Sequence, residues 1–170
     1  GMPAALFMMR VVTLLRMSLT KDTPFASVLP EVNQMLCENN DECMFVTLFV
    51  GLLDVKSGKF SYMNAGHNPP LISRAGGPFN LMDVPKGILL GVSEHARYEI
   101  AECVLEPTDR LVLYTDGVTE AENPQHDFDS VSRDSETLLT VLPDDDIALV
   151  IKALSSSVSQ FSKGLPQADD

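Results

Sequence analysis

The residues with the most chemical content are Arg110-Leu111-Val112-Leu113-Tyr114-Thr115-Asp116-Gly117-Val118-Thr119-Glu120. An apolar, strand-like run from Leu111 to Tyr114 stops at an aspartate followed by a glycine. A buried strand can deliver one carboxylate to the rim of a sheet in this way, with Gly117 free to turn the backbone sharply behind it. A carboxylate so placed suits a hard divalent cation or phosphoryl chemistry. The same residues also suit a plain hairpin end, with Asp-Gly as the turn. A second carboxylate pair, Asp169-Asp170, ends the sequence and could meet Asp116 at one end of a sheet. Two-metal hydrolases gather carboxylates in that fashion, although a solvated tail is the simpler reading of that pair.

Other chemistries fit less well. His67, His95 and His126 have no metal-ligand spacing. His67 lies in the segment Asn64-Ala65-Gly66-His67-Asn68-Pro69-Pro70, where hydrogen bonding within the loop is its expected role. There is no G-x-S-x-G elbow and no G-x-x-x-x-G-K-[ST] phosphate loop. Asp116-Gly117-Val118-Thr119 fits the D-G-x-T piece of phosphatases that form an aspartyl-phosphate. Their nucleophile stands two residues earlier, and here that residue is Tyr114, which excludes the class.

The formal net charge is −12, which argues against a nucleic-acid partner and against an anionic membrane surface. An acidic chain that handles phosphate needs cations to offset the repulsion. The three cysteines (Cys37, Cys43 and Cys103) form no C-x-x-C pair and read as reduced thiols. Arg10 and Arg16 interrupt the N-terminal apolar run before it reaches spanning length, and no signal peptide is evident. A cytoplasmic location is expected.

The elements that would position these groups follow from periodicity. Pro3 to Met17 is helical by composition and apolar on nearly every side, so it should be mostly buried. A second helix is expected over 24–37, capped by Asp22 or Thr23, with Pro24 in its first turn. Its stripe is Phe25, Val28, Leu29, Val32, Met35 and Leu36, and Pro30 should kink or restart it. Phe45 to Leu53 reads as a strand buried on both faces. A hairpin turn over Asp54 to Lys59 leads to a return strand over 60–65. Short strands are expected at Leu71–Ser73, Tyr98–Leu105 and Arg110–Thr115, with turns at Ala75-Gly76-Gly77-Pro78 and Pro107-Thr108-Asp109 and bends near Leu90-Gly91-Val92. This is an antiparallel meander. Ten of the 24 acidic residues lie between Asp116 and Asp146, opposed only by Arg133, so this stretch reads as a polar loop. Asp144-Asp145-Asp146 then caps a helix over 146–162 with the stripe Ile147, Val150, Ile151, Leu154, Val158 and Phe161.

Taken together, the pieces resemble the metal-dependent PPM-type protein serine/threonine phosphatases, in the bacterial SpoIIE-like branch of sporulation and stress-response enzymes. The matching segments are Pro3-Ala4-Ala5-Leu6-Phe7-Met8, Phe45-Val46-Thr47-Leu48-Phe49 with Asp54, Asn64 to Pro70, Leu90-Gly91-Val92, Tyr114 to Ala121, and Asp169-Asp170. They occur in family order over nearly the whole chain. The resemblance implies an α+β fold, an antiparallel two-sheet β-sandwich flanked by helices. It implies Asp116 and Asp169 as ligands of Mn²⁺ or Mg²⁺, and hydrolysis of phosphoserine or phosphothreonine by a metal-activated water. The implied partner is a phosphorylated regulatory protein of the anti-sigma-factor-antagonist type. The Gly-Asp-x-x-Gly-x-Gly segment that precedes the first helix in the family is absent, as is the closing strand. The expectation is therefore one phosphatase-like domain over 1–170 that lacks its first strands and its last. Such a piece should be inactive by itself, hold metal weakly, leave the helix from Pro3 to Met17 without all of its cover, and form a homodimer through its N-terminal helices or sheet edges. The alternative is a non-catalytic interaction or dimerisation module.

Overall fold

The structure, a computed structural model, describes residues 2–20, 22–119 and 147–162. In chain order the elements are α1 (Met2–Ser18), α2 (Phe25–Cys37), β1 (Leu48–Leu53), β2 (Lys59–Ala65), β3 (Leu71–Ser73), β4 (Phe79–Leu81), β5 (Ala101–Val104), β6 (Arg110–Val112), α3 (Asp116–Thr119) and α4 (Ile147–Ser162). The fold is α+β with antiparallel sheets, as expected. Two compact units emerge. One comprises Gly1–His67 and Val84–Leu105, the other Asn68–Asp83 and Glu106–Asp170.

In the first unit β1, β2 and β5 form an antiparallel sheet in that order. Leu48 pairs with Ala65 and Val50 with Met63, which puts all four on one face. That face meets the helices: Met63 and Ala65 are buried with Val11 of α1 and with Val28, Leu29, Val32 and Leu36 of α2. Each fully buried Leu or Val contributes about 1.5–3 kcal/mol relative to exposure, so this cluster anchors the unit. The other face carries Phe49, Phe60 and Tyr62, with ring centroids 5.4–6.4 Å apart. Gly51 sits beneath them, because a Cβ there would lie 2.4 Å from the Phe60 ring.

The α2 stripe is realised as expected, but the helix begins differently. Pro24 is its N-cap at φ −58° and ψ 129°, and no side chain caps it. The Thr23 hydroxyl is engaged with that of Thr20 at 2.7 Å, while the Pro24 carbonyl accepts from the Ser27 amide at 2.9 Å. Neither Asp22 nor Thr23 plays the expected part. Pro30 does not restart the helix, which runs unbroken from Phe25 to Cys37. The cost is one absent N–H, opposite the exposed Ala26, and the buried stripe on either side outweighs it.

Two apolar elements are only partly buried. In α1 only Val11 and Ser18 are buried, with Phe7, Leu14 and Leu15 half-buried, while Leu6, Met9 and Met17 are 61%, 67% and 69% exposed. The described neighbours cover a single arc of the helix. Likewise β1 begins at Leu48 rather than Phe45, and its last residues, Leu52 and Leu53, are exposed. Among the described residues β1 has a partner on one side only, which explains why it is not a two-faced core strand. Val46, ahead of it, forms an isolated bridge with Leu90.

The β1–β2 hairpin closes through Asp54. Its carboxylate accepts from the Lys56 amide at 3.0 Å and the Ser57 hydroxyl at 2.9 Å, and Gly58 takes a φ of +72°. Those hydrogen bonds, the Lys56 amide first, hold its carboxyl below the usual range. Asp54 is thus a turn residue.

In the second unit β4, β3 and β6 form an antiparallel sheet in that order. The sequence reading missed β4, three residues directly after the Gly77-Pro78 turn. Leu71 and Phe79 are buried with Val150 of α4, and Val112, Tyr114 and Leu154 pack against them. The helix expected over 146–162 is found as α4, although Ile151 of its stripe is exposed. The turn at 107–109 is built on Asp109, whose carboxylate accepts from the amides of Glu106 and Ala75, both at 3.0 Å, and from the Arg74 guanidinium. The acidic stretch after Thr119 and the Asp144-Asp145-Asp146 cap lie outside the described residues.

Candidate active site

The route to Asp116 starts in the second unit's core. β6 is shorter than the sequence suggests and ends at Val112. Tyr114 then packs on the cluster of Leu71, Phe79 and Val150, and burial pushes its phenol pKa up. Two residues past that anchor, Asp116 opens the short helical turn α3 as an exposed residue. The Thr115 carbonyl accepts from the Val118 amide at 3.1 Å and closes the turn. Asp116 is therefore not the last residue of a strand. Gly117 does not supply a sharp positive-φ turn, since it lies inside α3 and is not among the glycines with positive φ. A helical turn satisfies the backbone there with ordinary dihedrals.

Asp169 lies outside the described residues, so its position relative to Asp116 is not defined here. Among the described residues no group of three or more His, Cys, Asp or Glu side chains could hold a metal ion. Asp116 is the right kind of ligand, a hard oxygen, but Mn²⁺ and Mg²⁺ need several. The described residues do not complete a metal site.

The segment Asn64 to Pro70 has a clear physical role. The Asn64 side chain grips the backbone of His67 in both directions: its Nδ2 donates to the His67 carbonyl and its Oδ1 accepts from the His67 amide, each at 3.1 Å. Gly66, at φ +70°, makes this clamp possible. The His67 ring bonds through Nδ1 to the Thr47 hydroxyl at 2.9 Å. His67 is a structural hydrogen-bonding residue, as expected, though its ring reaches beyond its own loop. Gly87 completes the packing, because a Cβ there would fall 2.0 Å from the Asn64 carbonyl oxygen.

A second clamp escaped the sequence reading. Asn33, fully buried on α2, accepts from the Gly91 amide at 2.9 Å and donates to the Ser93 carbonyl at 2.8 Å. Asn40 donates to the carbonyls of Met44 at 2.7 Å and Gly91 at 3.1 Å. Gly91 is held at φ +88°, and a Cβ would lie 2.7 Å from the Met44 carbonyl oxygen. The available signal was an asparagine within the apolar stripe of α2, four residues after Leu29 and three before Leu36.

Cys37 is half-buried, Cys43 exposed and Cys103 half-buried, and all three are free thiols. Burial first, then the nearby Glu94 carboxylate, raises the Cys37 pKa, so this thiol is not an activated nucleophile. Among the described residues no helix is long and apolar enough to cross a membrane.

The sequence profile of the stage II sporulation protein E (SpoIIE) family matches residues 1–170. The chain belongs to the SpoIIE family. This SpoIIE-family chain is 32% identical over 121 residues to the phosphoserine phosphatase RsbU of Bacillus subtilis, an alignment covering 71% of this chain and 36% of RsbU. The structure of the RsbU and RsbW domains of Rv1364c from Mycobacterium tuberculosis superposes with a TM-score of 0.75 at 25% identity, over all of this chain and 46% of that one. The SiaA-PP2C domain of Pseudomonas aeruginosa matches with a TM-score of 0.82 at 18% identity, over the whole chain and 68% of that domain, and places the fold among PP2C phosphatase domains. The chain spans less than half the length of the curated relatives it matches.

Proposed function

We propose that this SpoIIE-family chain is part of a metal-dependent protein phosphatase that hydrolyses phosphoserine or phosphothreonine on a regulatory protein in the cytoplasm. One observation carries the reading. Asp116 is presented exposed, two residues beyond a core-anchored tyrosine, in a chain matched to the family from end to end. The likeness to RsbU, a phosphoserine phosphatase, supports the reaction class. Asp116 and Asp169 are assigned as Mn²⁺ or Mg²⁺ ligands. When bound, such ions supply an activated water and neutralise phosphoryl oxygens. Asp116 contributes one oxygen on a fixed turn, and Tyr114 holds that turn to the core. The whole of 1–170 is read as one phosphatase-like domain, inactive and weak for metal by itself. A homodimer through Met9, Val12 and Met17 of α1 would cover apolar side chains that stand exposed.

The second reading is a non-catalytic phosphatase-like module for protein interaction. It is favoured by the lack, among the described residues, of any cluster of three ligating side chains. The deciding measurement is Mn²⁺-dependent phosphate release from a phosphoserine protein and from an aryl phosphate, using both this chain and the natural protein that contains it. Activity in the natural protein, abolished by Asp116→Asn and weak or absent in the chain alone, is expected. Inactivity of the natural protein on both substrates would favour the module. Full activity of Asp116→Asn would remove Asp116 from the site.

A further inference from the structure

An open groove of about 580 Å³ runs between the first turns of α1 and the loop that follows α2. Pro3, Leu6, Phe7 and Met44 make its wall apolar, and Asp41 and Glu42 stand on its rim. Both carboxylates are exposed, and neither takes part in an ion pair among the described residues. Two of the groove's other polar side chains, Arg10 and Asn40, are already engaged, and Asn39 is exposed. The Arg10 guanidinium donates to the carbonyls of Met35 and of Glu38, the latter at 3.0 Å, at the C-terminal end of α2, where a cation is favoured. The Asn40 amide is held by Met44 and Gly91. An incoming molecule therefore meets an apolar wall, the Asn39 amide and two exposed carboxylates, with the Arg10 guanidinium turned to the carbonyls of α2's C-terminal end.

We propose that this groove docks a short segment of a partner protein that carries Lys or Arg beside apolar side chains. Apolar anchors entering the pocket supply affinity, as in other helix-in-groove and pocket recognition. The rim carboxylates select the sign of the partner, and the −12 charge of the chain steers a basic segment toward it. This inference is independent of whether the chain is catalytic.

The test uses a fluorescent peptide of about 15 residues, long enough to hold a helix once bound, with Leu on one face and Lys flanking it. Its counterpart carries Glu in place of every Lys. The Lys peptide should bind saturably and the Glu peptide at least about tenfold more weakly. Asp41→Lys combined with Glu42→Lys should weaken the Lys peptide by about tenfold or more, and Leu6→Ser should weaken it as well. Reversing Glu31 and Glu99, exposed carboxylates outside the groove, should leave binding within about twofold. Amide signals of Leu6, Phe7 and Met44 should shift on peptide addition. Equal binding of the two peptides, or an equal loss from the Glu31 and Glu99 reversal, would overturn the proposal. So would groove signals that shift with protein concentration alone, which would make this face a contact between copies of the chain.

Discussion

Asn33 offers the sharpest test of how the α2 helix is tied to the Gly91 bend. Its side chain is fully buried and makes two hydrogen bonds to backbone 58 and 60 residues away in sequence. Asn33→Ala removes both and leaves the Gly91 amide and the Ser93 carbonyl without partners. A typical net hydrogen bond is worth about 1 kcal/mol, which gives a floor of about 2 kcal/mol, and full desolvation of both orphans gives a ceiling of about 6 kcal/mol. Both bonds are only partly buried, so some water can enter, and the expected loss is about 2–3 kcal/mol. Urea unfolding followed by circular dichroism reads this as a fall in midpoint of about 1–1.5 M for a slope near 2 kcal/mol/M. Asn33→Asp makes the argument specific. It keeps the acceptor for Gly91 but faces the Ser93 carbonyl with a second acceptor, so it should be at least as damaging at pH 7. Its buried carboxyl should titrate high, and once protonated it donates to Ser93, so stability relative to wild type should recover as the pH falls. A loss below about 0.5 kcal/mol in Asn33→Ala, or no recovery of Asn33→Asp in acid, would refute the clamp.

Two further outcomes follow from groups whose environments are set by the fold. The Tyr98 hydroxyl is buried with no hydrogen-bond partner among the described residues, and burial, aided by Cys37, pushes its pKa up to about 12. Tyr98→Phe should therefore be neutral or stabilise by up to about 1 kcal/mol, and a loss above about 1 kcal/mol in the same urea assay would mean that the hydroxyl has a partner. Asp109 has a lowered pKa because of hydrogen bonds from the Glu106 and Ala75 amides and from Arg74. Its stabilising contribution is complete above the ordinary carboxylate pKa of about 3.9 and is lost as the pH falls through the lowered folded value. Asp109→Asn should flatten that acid limb of a pH–stability curve, and an unchanged limb would assign the effect elsewhere.

Much of the fold was legible because its strongest signals are periodic. The α2 stripe, the β1–β2 hairpin with Lys-Ser-Gly at its tip, and the 16-residue α4 all have a pattern long enough to fix an element. Three-residue strands such as β4 carry no period, and their existence rests on pairing with β3 rather than on their own sequence. Asp116 was legible as an isolated carboxylate after an apolar run. Its true setting, a helical turn hung from Tyr114, was not, because Asp-Gly is compatible with both a hairpin and a turn of helix. The asparagine clamps were invisible for a related reason. A polar side chain among apolar neighbours announces a partner but not which one, and Gly91 stands 58 residues from Asn33.

The exposed side of α1 carries the most functional weight. Composition alone makes a helix of Ala, Leu, Met and Phe look like core, yet only one arc of α1 is covered by described residues. Leu6, Met9 and Met17 remain open, and β1, with Leu52 and Leu53 exposed, lies in the same unit. Scattered exposed apolar residues are ordinary on a protein surface, but several along one helix constitute a surface that water does not favour. The same unit holds the Gly91 bend by two asparagines of α2 and the loop after it, and Phe7 of α1 lies against that bend, 3.4 Å from where a Gly91 Cβ would stand. The bend is thus bonded to α2 and its following loop through short, directional contacts and only packed against α1. Displacing α1 would therefore first loosen the Phe7 contact, while Asn33 and Asn40 keep the bend on α2 and its loop, because hydrogen bonds lose their value over a few tenths of an ångström while dispersion contacts yield more gradually.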